Sequence, residues 1–136
     1  MTSTKKNPAI LQGEQDARPL MLHCARLLQS WLASISSEQE SMDDAGTWSD
    51  ENHAVDLTMC HAFDCVSRWV AELPERKAFE AQWWNLSGVV TLAARAFPNK
   101  DTVYWRMLDH ADNGMQSLPD VWQTVADGLL MMEVAA

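Results

Sequence analysis

A chain of 136 residues, 47% of them hydrophobic and including seven Trp and eight Met, holds enough apolar material for one packed domain and too little for two. Its formal charge of −9 opposes direct contact with nucleic-acid phosphates and membrane headgroups, and steers encounters toward basic protein partners. No apolar run approaches the roughly 18 residues of a membrane span, no signal-peptide core follows the opening residues, and three cysteines are an odd, small number for a disulfide framework. A cytoplasmic protein with reduced thiols is the expectation.

Residues 1–16 mix Lys5, Lys6, Pro8 and Gly13 without periodicity and read as a flexible arm, with the helical domain spanning 17–136. From Ala17 to about Ser36, Leu20, Cys24, Leu27, Leu28, Trp31, Leu32 and Ile35 recur at steps of three and four, the apolar stripe of a helix with Pro19 in its first turn. An acidic connection follows at about 37–50, anchored only by Met42 and Trp48. Ser49 or Asp50 caps a second helix that runs to about Leu73 with the stripe Val55, Met59, Ala62, Phe63, Val66, Trp69 and Val70.

The third helix, about Glu75 to Phe97, places Phe79, Trp83, Leu86, Val90, Ala93 and Phe97 on one face. Gly88 in its interior suggests a close helix crossing, since glycine there costs on the order of 1 kcal/mol relative to alanine. A fourth helix from about Asp101 to Asp112 uses Val103, Tyr104, Met107, Leu108 and Ala111 and ends on a left-handed Asn113-Gly114. Ser117 with Asp120 resembles a capping box for a last helix carrying Val121, Trp122, Val125, Leu129 and Met132. No segment alternates as a strand does, so the fold class is all-α, a single-domain bundle of about five helices.

The chemistry-bearing residues are sparse. His61 and Cys65, four apart, share a helical face with Arg68 and Glu72, and His53, Cys60, Asp64 or the pair His23-Cys24 would have to complete a metal site or a thiol-dependent active site there. There is no CxxC pair, no HExxH, no phosphate-cradling glycine loop and no G-x-S-x-G turn. The reading is accordingly of a non-enzyme, with no catalytic residue, no metal and no cofactor, and a small thiol- or metal-dependent enzyme as the alternative.

The charge is uneven. From Leu27 to Ser67 there are eight acids and no Lys or Arg, and after Arg106 five acids and none. Trp48, Trp84 and Trp105 fall beside the main stripes, where aromatic side chains serve either as added core or as interface anchors. Acids beside exposed aromatics can occupy a basic nucleic-acid-binding surface, carboxylates standing for phosphates and rings for bases.

In size, acidity and helical content the chain resembles the small anti-CRISPR proteins of phages and mobile elements. The run Ala25-Arg26-Leu27-Leu28-Gln29-Ser30-Trp31, the pair Trp83-Trp84 and the pair Trp105-Arg106 resemble a helical type I-F inhibitor family, across about a tenth of the chain. The resemblance implies an inhibitor that keeps a helicase-nuclease from recruitment. The expected function is therefore inhibition of a bacterial defence effector, with Asp43, Asp44, Trp48, Asp50, Glu51 and Trp84 as partner contacts. An immunity or adaptor protein capping another basic partner is the nearest alternative, and an apolar patch left open would allow homodimerisation.

Overall fold

The computed structural model describes the backbone of residues 8–135 and the side chains of Pro8 and residues 11–128. All described secondary structure is helical: α1 Pro8–Asp44, α2 Asp50–Ala71, α3 Arg76–Ala96, α4 Val103–Ser117 and α5 Pro119–Ala135. The all-α class is thus what the periodicities give. Among the described residues no helix is long and apolar enough to cross a membrane.

The longest element departs most from expectation. Helix α1 begins at Pro8, so the part of the presumed arm from residue 8 onward is helical, while residues 1–7 lie outside the described residues. The reason is tertiary. Gly13, Ala17, Met21 and Cys24 are buried, and a Cβ on Gly13 would collide with the Ala126 carbonyl of α5. The contact between α1 and α5 is the most extensive in the molecule. Pro19 consequently lies inside the helix rather than in its first turn. Its missing N–H leaves the Gln15 carbonyl without the usual donor, at little cost because Gln15 and Pro19 both face outward.

At its other end α1 continues to Asp44, which shortens the acidic connection from 37–50 to residues 45–49. Met42 is buried and holds the last turn to the core. Gly46, at φ 75°, then closes a Schellman ending in which Thr47 N–H donates to the Met42 carbonyl at 2.9 Å and Gly46 N–H to that of Asp43 at 3.0 Å. Ser49 caps α2 by accepting from the Asn52 N–H at 3.2 Å.

The stripes of α2 and α3 are buried as read, except that Phe63 and Val70 are half-buried at the edge of the core. Val55, Met59, Ala62, Val66 and Trp69 meet Phe79, Trp83, Leu86, Val90 and Ala93 in one continuous core. Gly88, by contrast, is exposed with nothing near its missing side chain, so no close crossing occurs there. The close approaches fall at Gly13 and at Gly114, where a Cβ would strike the Trp31 ring. Gly114 is therefore an interior residue of α4 with no left-handed backbone, and α4 runs on through Ser117.

Ser117 does not cap α5; its hydroxyl donates to the Asn113 carbonyl, and a single helical residue, Leu118, joins α4 to α5. Pro119 cannot donate to the carbonyl of Met115, and the indole Nε1 of Trp83 does so instead, at 2.7 Å. Tryptophan on α3 thereby completes the hydrogen bonding of a joint it does not belong to. Of the last helix's expected apolar positions, Trp122 is fully buried, Val121 is exposed, and Leu129 and Met132 lie outside the described side chains.

Candidate functional site

Asp43 and Asp44 occupy the last turn of α1, and Asp50 and Glu51 the first turn of α2, so the Gly46 turn gathers all four at one corner. All four are exposed. Among the described residues none of them has a Lys or Arg within ion-pair distance, whereas Glu80 and Asp127 both pair with Arg76. Asp50 and Glu51 have a local reason to be where they are, since carboxylates complement the positive end of a helix dipole. Asp43 and Asp44 sit at the negative end of α1 with no basic residue in the last turn, where the same dipole works against them.

The corner is rigidly backed. Trp48 is half-buried, its ring 5.2 Å from that of Tyr104 and 6.4 Å from that of Phe97. Its indole Nε1 is buried without a hydrogen-bond partner. Beneath it the phenol of Tyr104 donates to Asp56 Oδ1 at 2.9 Å, and burial, then the Asp56 carboxylate, push that phenol well above its usual range. Tyr104 was readable only as a stripe residue of its helix, and Asp56 only as one more acid, because nothing in the spacing along two separate helices announces that they meet.

Trp84 is not brought to this corner. It lies on α3 about 20 Å along the helix axis from Phe97, at a rise of about 1.5 Å per residue. At 45% exposure it forms an apolar strip with Leu92, 66% exposed, on either side of the open Gly88. Trp105, the third tryptophan beside the stripes, is core: its Nε1 donates to the Ala94 carbonyl at 3.0 Å and its ring is half-buried.

A second constellation lies between α2 and α3. The spacing read as a shared face brings His61 Nε2 to 3.7 Å from Cys65 Sγ, and Arg68 Nη2 reaches the same sulfur at 3.6 Å. The three line a groove of about 310 Å³ whose far wall is Gln82, Asn85 and Val89 of α3. Trp69 Nε1 donates to Gln82 Oε1 at 2.8 Å and fixes that side chain. His53, Cys60 and Asp64 do not join the pair: among the described residues no three His, Cys, Asp or Glu side chains converge as metal ligands would. Cys60 instead turns its sulfur to Asp56 Oδ2 at 3.8 Å, and Cys24 is fully buried in α1.

Compared with known proteins, the chain matches no family model, no curated protein and no solved structure.

Proposed function

We propose that this domain is a non-enzymatic inhibitor that presents its α1–α2 corner to a basic, nucleic-acid-binding surface on a protein partner, a bacterial defence effector in the first instance. Asp43, Asp44, Asp50 and Glu51 stand in for phosphates, and Trp48 wedged on Phe97 and Tyr104 holds them in place before binding, which limits the entropy lost on association. The observation that carries the reading is the pair Asp43 and Asp44. Helix stability disfavours carboxylates at the end of α1, and among the described residues no neighbouring cation compensates them, so a role outside the fold accounts for them better than one within it.

The test is an affinity capture with the tagged domain from a lysate of cells carrying defence systems, run beside a variant with all four acids changed to Lys. A partner that binds nucleic acid, is lost in the variant and weakens with salt supports the proposal. Equal capture by both proteins at physiological salt refutes its electrostatic basis. A basic toxin captured instead would make the domain an immunity protein using the same corner.

The Trp84–Leu92 strip is the apolar face through which two copies would pair, and sedimentation of the wild type against Trp84→Glu tests that.

A further inference from the structure

Three free thiols meet three different environments in this fold. Cys24 is fully buried, and burial pushes its thiol up to about 11. Cys60 is exposed but held above the ordinary thiol range, by partial burial first and then by the carboxylates of Asp56 and Asp64. Only Cys65 is both accessible and flanked by cationic or proton-accepting groups, with Arg68 Nη2 at 3.6 Å and His61 Nε2 at 3.7 Å.

We propose that Cys65 is a site of covalent modification by thiol–disulfide exchange with a carboxylate-bearing, peptide-like disulfide of low molecular weight, whose attached half lies in the α2–α3 groove. Negative charge on the attacking sulfur faces the Arg68 guanidinium, whereas at Cys60 it would face carboxylates. In the tautomer that leaves Nε2 unprotonated, His61 takes the thiol proton.

The Cys65 sulfur attacks one sulfur of the small disulfide, a new S–S bond forms, and the old one breaks. The departing thiolate recovers the proton from His61 and leaves as a thiol. Cys65 is oxidised, the departing sulfur is reduced, and no other oxidant enters. The groove suits such a ligand: Gln82, whose oxygen is already engaged by Trp69, has its amide nitrogen left to donate, and Asn85 adds a second amide. Arg68 is matched to a carboxylate.

This inference does not depend on the acidic corner. Because the net charge of −9 favours cationic ligands over the molecule as a whole, a preference for an anionic disulfide at Cys65 has to come from the groove itself.

The full chain is reacted with oxidised glutathione and separately with cystamine, its cationic counterpart, and each cysteine is followed by peptide mass spectrometry. With oxidised glutathione, Cys65 is expected to react about tenfold faster than Cys60 in the folded chain, the advantage disappearing in urea. Arg68→Gln slows Cys65 several-fold without slowing Cys60, Arg68→Lys restores most of the rate, and His61→Gln provides a second variant should Arg68→Gln not fold. The proposal is overturned if Cys60 reacts as fast as Cys65, if neither the Arg68 nor the His61 change slows Cys65, or if Cys65 prefers cystamine.

Discussion

The two ends of α3 are both built around aromatic side chains, yet their polar atoms are treated differently. Near its start, Trp69, Phe79, Trp83 and Trp122 form a cluster with ring centroids 5.1–5.8 Å apart. Every indole there is satisfied: Trp69 by Gln82, Trp83 by the Met115 carbonyl, and Trp122 by Glu80 Oε2 at 2.9 Å. Glu80 also accepts from Gln123 and Arg76, and Arg76 reaches on to Asp127. At the other end Trp48 packs on Phe97 and Tyr104 with its indole nitrogen unpartnered, in the turn between four carboxylates that have no ion-pair partner among the described residues. Where every polar group is paired within the chain, the residues are explained by the fold; where charges and a donor are left over, the fold alone does not explain them.

The contrast is sharpened most by removing its aromatic cores. Trp83→Ala should cost about 3–5 kcal/mol, the range for a buried ring, and fall toward its upper end because it also strands the Met115 carbonyl. Trp48→Phe, which removes an unpaired donor and keeps a ring, should change stability by far less. Urea midpoints for the two variants make the comparison, and equal losses would erase the distinction between the ends.

Next in size is Glu80→Ala. Three donors lose their acceptor, one of them the nitrogen of a fully buried tryptophan, and a loss of about 1–3 kcal/mol is expected in the same experiment.

A third test uses alkali. The folded chain keeps Tyr104 and Cys24 protonated at pH values where the unfolded chain releases both protons, so the unfolded state binds fewer protons there. Stability is then complete below about pH 8 and falls as pH rises through the ordinary thiol and phenol range, by about 1.4 kcal/mol per pH unit for each group that only the unfolded chain has released. Tyr104→Phe should flatten the fall above about pH 10, leaving the shallower part due to the thiols.

The smallest effect has the opposite sign. Asp43→Asn and Asp44→Asn should each stabilise the protein by about 0.3–1 kcal/mol in low salt while weakening partner binding. Thermal melts that show a loss instead would return these two residues to the fold.

Legibility in the sequence followed burial. The stripes of α2 and α3 were readable because each residue's neighbours at three and four positions are apolar and face one core. The ends of α1 were not. Gly13, Pro19 and the acids after Glu38 carry the local composition of loops, and only the distant surfaces of α5 and the core hold that chain helical through Gly13, Ala17 and Met42. Gly114 shows the same limit: local preference makes it a turn, and the Trp31 ring above it makes it a helix residue chosen for its lack of a side chain. The acidic corner was visible as composition, but the separation of Trp84 from it was not, because spacing along a helix says nothing about which end of the next helix lies nearby. His61 and Cys65 were legible by their spacing of four residues, and the α3 wall of their groove was not.

The partnership of α1 with α5 has a consequence for how the chain is made. Within this domain α1 is made before α5, and the positions of α1 at Gly13 and Cys24 lack these particular neighbours until Ala126 and Leu118 have emerged from the ribosome. The nascent domain therefore carries part of the inner face of α1 without its α5 cover until that last helix is made. The packing of the domain is complete only when α5 closes on α1.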